Sequence, residues 1–190
     1  MNKKVLVVDC CIRKEKSATK RLLSSYLEKH CSQCSIEYLH LYEMSLKPML
    51  NEELEKRDSL LLEGKLEDPF FNLARQFKEA DRVVFAAPFW DMSFPSLLKV
   101  YIERICASGI TFASSAEGGL KGLCKAEKFV YISTCGGYMR GENEGARYIR
   151  CLGKNLLGVD MTEEFIIDGL DVDPTQRENR LESEIRRLMA

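Results

Sequence analysis

The sequence predicts an open α/β fold in which five parallel strands form one sheet with helices on both faces. Three observations predict it. Short apolar runs of the kind that form buried strands recur along the chain. Stretches with apolar residues at helical spacing alternate with them. No internal repeat, low-complexity tract or Pro/Gly-rich linker divides the chain, so residues 1–190 are expected to form a single domain.

The elements follow in order. Lys4 to Asp9 (KVLVVD) reads as a strand buried on both faces. Ser17 to His30 carries Leu22, Leu23, Tyr26 and Leu27 on one helical face. Ser35 to Leu41 is a weaker strand. Asn51 to Gly64 and Pro69 to Ala80 read as helices, the second opened by its proline. Arg82 to Ala87 (RVVFAA) is a buried strand ended by Pro88. Ser93 to Ala107 is helical, with Leu97, Leu98, Tyr101, Ile102 and Ile105 on one side. Gly109 to Gly122 (GITFASSAEGGLKG) is turn-rich and reads as an insertion or hairpin. Lys128 to Thr134 (KFVYIST) is the fourth strand, Asn143 to Leu157 a helix, Thr162 to Asp168 the fifth strand, and Thr175 to Met189 a closing helix.

Composition narrows the function classes. The chain has 190 residues, with 28 Lys+Arg against 29 Asp+Glu, a net charge of −1. A nucleic-acid binder would carry a surplus of Lys and Arg, so none is expected as a partner. The longest run free of charged side chains is 12 residues, Ile105 to Ala116, too short to cross a membrane. No secretory signal is legible at the N-terminus, and the expected location is cytoplasmic. The eight cysteines are scattered, which suits reduced thiols rather than a disulfide scaffold. Cys31 and Cys34 form one C-x-x-C, placed at the end of a helix rather than at the start where a redox pair would sit. Neither it nor His30 and His40 completes a zinc pattern, so no metal site is expected.

In an open parallel sheet, ligands bind beyond the carboxyl ends of the strands. Three loops leave those ends with unusual composition. Cys10 to Lys20 (CCIRKEKSATK) places Ser17 and Thr19 at a helix start among Arg13, Lys14, Lys16 and Lys20. Unpaired N–H groups and the helix dipole there favour an anion, although Ser17 also suits a plain helix cap. Glycine-rich nucleotide loops of the G-x-G-x-x-G and G-x-x-x-x-G-K-[ST] types are missing. Pro88 to Pro95 (PFWDMSFP) is too apolar for a mere connection; Phe89, Trp90, Met92 and Phe94 suit either a flat pocket wall or a contact with another surface. Thr134 to Tyr138 (TCGGY) allows close backbone approach at Gly136 and Gly137, or makes an ordinary turn. Cys135 has no histidine placed to activate it and is not read as a nucleophile. Together the loops would surround one elongated ligand, with a phosphate at one end and a planar heterocycle at the other, which describes FMN.

The run Ala87 to Phe112 (APFWDMSFPSLLKVYIERICASGITF) resembles the A-P-M-Y-N-F…L-K…D…G-x-T-F block of the FMN-dependent NAD(P)H azoreductase and quinone reductase family, and the start KVLVVDCCI resembles that family's first strand. The resemblance runs through nearly the whole chain. It implies a flavodoxin-like sheet of strand order 2-1-3-4-5. It places the family's phosphate loop on Ser17, Ala18 and Thr19, with Cys11 where a serine is usual. Its flavin segment falls on Phe89, Trp90, Asp91 and Met92, just after Pro88, and its Ser/Thr-x-Gly-Gly segment on Thr134, Cys135, Gly136 and Gly137. Cys11 would offer a weaker donor than a hydroxyl, and Asp91 stands where the family has an asparagine amide.

The resemblance further implies a two-electron reductase working by alternating binding. NADH or NADPH would pass a hydride to flavin N5 and leave, and a quinone, azo or nitro compound would take its place. No side chain is required as acid or base, so no catalytic residue is nominated. A homodimer is implied too, with Phe89 to Phe94 and Ile110 to Leu123 at the contact. The alternative is a flavodoxin-like electron carrier that NAD(P)H does not reduce directly; the charge of −1 is low for one. A phosphorylated signalling receiver, prompted by Val7-Val8-Asp9, lacks the second acid beside Asp9 and an aspartate closing the third strand.

Overall fold

The structure, a computed structural model, describes residues 2–190. Strands β1 (Lys4–Asp9), β2 (Ser35–His40), β3 (Arg82–Ala86), β6 (Lys128–Thr134) and β7 (Met161–Ile167) form one parallel sheet in the order β2-β1-β3-β6-β7. This is the 2-1-3-4-5 order, since β4 (Phe112–Ser114) and β5 (Leu120–Gly122) pair only with each other, as an antiparallel hairpin within Gly109 to Gly122. Helices α1 (Ala18–His30), α2 (Glu52–Leu62), α3 (Asn72–Lys78), α4 (Ser96–Ile105), α5 (Glu144–Leu152) and α6 (Arg177–Met189) complete the chain.

Alternation along the strands builds two cores. Leu6, Val8, Val83, Phe85, Phe129 and Tyr131 face α3, α4 and α5. Val5, Val7, Val84, Ala86, Val130 and Ile132 face α1 and α6. The three central strands are therefore apolar on both faces, and sequence reading found their ends closely. The outer two are not of that type: β2 has no buried residue and β7 only Ile167, because each is an edge with one neighbour.

Several helix starts differ from expectation. The stretch from Ser93 enters α4 only at Ser96, because Trp90 to Ser93 close a turn and Pro95 bars the preceding residue from helical geometry. Pro69–Phe71 is a 3₁₀ turn capped by the Asp68 carboxylate, which accepts from Phe70 N at 2.8 Å. After α5 the chain widens into a π-turn, Gly153–Leu157, where a Cβ on Gly153 would lie 2.7 Å from the Val159 carbonyl. Among the described residues no helix is long and apolar enough to cross a membrane.

The topology fixes where a ligand can sit. The crossover after β1 goes to β2, and the one after β3 goes the other way, to β6. The loops at those two carboxyl ends part to opposite faces and leave a crevice between them.

Candidate functional site

Burial at the end of β1 begins the site. Asp9 is fully buried, and each of its oxygens is engaged. Oδ1 accepts from Cys11 N at 2.9 Å; Oδ2 accepts from Lys20 Nζ at 2.5 Å and lies 3.1 Å from His40 Nδ1. Burial alone would raise the Asp9 pKa, but the hydrogen bonds from Lys20 and Cys11 hold it below its ordinary value. These contacts fold the chain sharply after β1, and a 3₁₀ turn, Lys14–Lys16, then delivers Ser17 to the start of α1. A phosphoacceptor role for Asp9 is incompatible with this engagement.

Ser17 is the α1 cap, its Oγ accepting from Lys20 N at 3.4 Å. The amides of Ala18 and Thr19 have no acceptor among the described residues. Arg13 and Lys16 beside them have no carboxylate partner there either, as the ion pairs of this loop use Lys14 and Lys20. Thr19 is fully buried, and its Oγ1 lies 2.7 Å from Thr134 Oγ1 at the end of β6. That bond ties the first loop to the third. The second joins them through Phe89 N, which donates to the Thr134 carbonyl at 3.0 Å.

The result is one cavity of about 190 Å³ bounded by Ile12, Arg13 and Lys16 to Thr19, by Pro88 to Trp90, by Thr134, and by Asp171 and Arg177. Of the residues singled out in the sequence, Ser17, Ala18, Thr19, Pro88, Phe89, Trp90 and Thr134 line it. The rest lie around it. Cys11 is fully buried and turned into the core beneath the loop, its Sγ 3.8 Å from the Ala86 carbonyl. Asp91 and Met92 are exposed at the tip of a turn that Trp90 and Ser93 close by exchanging two hydrogen bonds. Both have positive φ, +48° and +69°, a geometry glycine and asparagine favour; for Met92 it stores backbone strain beside the cavity. Cys135 and Gly136 bond to the loop after β7: Leu170 N donates to Cys135 O and Asp171 N to Gly136 O at 2.7 Å. Gly137 is exposed, and its carbonyl accepts from Gly169 N.

Burial works against ionisation of the thiols nearest the cavity. Burial pushes Cys10 up to about 12 and raises Cys11 and Cys135 as well. Cys31 closes α1 as its cap, where the sequence placed the end of that helix, and burial raises its pKa. Among the described residues there is no group of three or more His, Cys, Asp or Glu that could hold a metal.

Asp171 and Arg177 were not singled out from the sequence. They lie in a polar stretch, DVDPTQRE, that spans the last connection and the start of the closing helix; the bond from Asp171 N to Gly136 O and the packing of α6 on α1 bring them to the cavity.

The Thr19–Thr134 bond gives a test of this junction. Thr19→Val should cost about 2 kcal/mol, since it leaves a buried hydroxyl without a partner, and lower Tm by roughly 4–8 °C. Thr19→Val with Thr134→Val should cost less than the sum of the two single changes, because no hydroxyl is then orphaned. Strict additivity in calorimetry would mean that the two loops are not joined there.

With this geometry in place, similarity to known proteins becomes informative. The sequence pattern of a family described as having a flavodoxin-like fold matches residues 3–190. The chain belongs to the flavodoxin-like family. An FMN-dependent NADH:quinone oxidoreductase 2 from Clostridium acetobutylicum is 37% identical over 164 residues, covering 82% of this chain and 80% of the relative. An FMN-dependent NADH:quinone oxidoreductase from Clostridium perfringens is 34% identical over 193 residues, covering 98% and 96%. Among solved structures, an azoreductase from Bacillus anthracis superposes with a TM-score of 0.80 at 23% identity, covering 100% of this chain and 97% of its own, and so shares the fold.

Proposed function

We propose that this chain is an FMN-dependent NADH:quinone oxidoreductase that also accepts azo compounds, built as one domain over residues 1–190. The observation that carries the reading is the convergence of the loops after β1, β3 and β6 on a single cavity, bonded to one another by Thr19, Phe89 and Thr134. The donor set suits FMN. The free amides of Ala18 and Thr19, the Ser17 hydroxyl and the cations Arg13 and Lys16 fit a phosphate tail. Phe89 and Trp90 give a flat apolar wall for a ring system. The names of the relatives support NADH as donor and a quinone as acceptor.

FMN, when bound, supplies the hydride chemistry. The protein's part is to hold the phosphate at the α1 start, to lay the ring against Phe89 and Trp90, and to leave its outer face open for donor and acceptor in turn, nitro compounds included. Cys135 N is spent on Ile167 O, so in this reading the amides of Gly136 and Gly137 are the ones that would meet the polar edge of the ring. Trp90 and Met92 in the loop after β3 are 39% and 54% exposed, and Leu120 on the β4–β5 hairpin is 55% exposed, which suits apolar contact with a second copy.

Titration of the protein with FMN should quench flavin fluorescence and give a protein-bound visible band. NADH under nitrogen should bleach that band, and benzoquinone should restore it. FMN that binds but is not bleached by NADH would favour the electron carrier instead. A monomer by light scattering at micromolar concentration would remove the second copy.

A further inference from the structure

The cavity has a wall that neither the sequence nor its relatives' names assign: Asp171 and Arg177, from the loop after β7 and the start of α6. Their placement is built rather than incidental. Asp171 is held by its backbone, its N–H donating to Gly136 O at 2.7 Å, and its carboxylate sits where any side chain on residue 136 would have to go. A Cβ on Gly136 would fall 2.3 Å from Asp171 Oδ2. The carboxylate in turn pairs with the Arg177 guanidinium. Arg177 opens α6, which packs on α1 through Leu181, and the next residue, Glu178, pairs with Arg21 one turn into α1. The guanidinium is thus held beside the first turn of α1 and lines the same cavity as Arg13 and Lys16.

Charge gives this wall a use. Three cations and one carboxylate line the cavity, a surplus of two positive charges. A phosphate monoester carries about −1.5 to −2 at neutral pH. Arginine has five N–H donors in a planar fork, so it can keep one edge on Asp171 and present another to an anion.

We propose that Arg177, oriented by Asp171, binds the phosphate of the flavin nucleotide together with the α1 start, so that the site selects FMN over riboflavin. This rests on the reading of the cavity as a flavin nucleotide site. Asp171 is the positioning residue; Arg177 makes the contact.

The test compares two flavins that differ only in the phosphate. FMN and riboflavin are titrated into the wild-type protein, Arg177→Gln and Arg177→Lys, with fluorescence quenching as readout. Loss of a charge-assisted hydrogen bond should raise the FMN Kd of Arg177→Gln roughly tenfold or more, with the riboflavin Kd within about twofold of wild type. Arg177→Lys should recover part of the FMN affinity, since the charge remains while the fork is lost. An unchanged FMN Kd in Arg177→Gln, or an equal weakening of both flavins, would overturn the assignment while leaving the flavin site standing. Failure of the wild-type protein to bind FMN would overturn both.

Discussion

Asp9→Asn is expected to lower stability by about 3 kcal/mol at neutral pH, the low end of the cost of breaking a buried ion pair. The carboxylate is fully buried and Lys20 is largely so, with 13% of its side chain exposed. Removing the negative charge leaves the Lys20 ammonium desolvated with an amide in place of its counter-ion. For a chain of this length the change should appear as a fall in Tm of roughly 6–12 °C.

Its pH dependence identifies the cause. Asp9 has a depressed pKa in the folded protein, so its contribution is present above its ordinary value of 3.8 and disappears as pH falls through the lower folded value. For Lys20, burial works against the charge, but Asp9 outweighs it and raises the pKa above 10.5. That contribution is present below 10.5 and is lost as pH rises through the folded value. The difference between wild type and Asp9→Asn should therefore be flat across the middle of the pH range and shrink at both ends. Lys20→Met alone should be worse than Asp9→Asn, because it strands the more deeply buried charge, and the double change should recover part of the loss. A difference that stays constant into strong acid would show that Asp9 acts through packing or through its bond to Cys11 N instead.

That pair also shows where sequence reading stops. The run KVLVVD ends in the strand at Asp9, as read, since an apolar run meeting a charge is a local signal. What Asp9 touches depends on the parallel register that sets it opposite His40 and on the first turn of α1 that returns Lys20. Neither is written in the neighbouring residues. The three loops were legible because composition marks them: hydroxyls at a helix start, aromatics after a strand, paired glycines. Arg177 was not, because an arginine in a polar stretch looks the same whether it faces solvent or a cavity. The turn at Asp91 and Met92 was hidden for a related reason. Asp-Met carries no glycine to signal positive φ, and the strained backbone is imposed by the hydrogen bonds between Trp90 and Ser93. Helix α4 begins three residues late because Pro95 outranks the apolar periodicity that runs through it.

Gly122→Ala is expected to have an effect of similar size by a different route. The β4–β5 hairpin rests directly on the backbone of the π-turn after α5, with Cys124 N donating to Leu157 O. A Cβ on Gly122 would lie 2.0 Å from both Gly158 N and Leu157 C. No side chain can rotate away to relieve this, because both obstacles are main chain. Gly158 cannot yield either: it holds φ +77° and its own Cβ position is 3.1 Å from Gly122 Cα. The alanine must push the hairpin off the π-turn, at a cost of about 3 kcal/mol, the upper end for overpacking. Gly119→Ala, in the same hairpin but meeting only Ser115 Oγ at 3.6 Å, is the control and should leave Tm within about 1 °C. The hairpin also carries Leu120, part of the apolar surface offered to a second copy, so Gly122→Ala should weaken dimerisation in light scattering while Gly119→Ala does not. A Gly122→Ala protein with wild-type Tm would mean that the hairpin is not seated on the π-turn, and the contact surface would then have to be sought on Trp90 and Met92 alone.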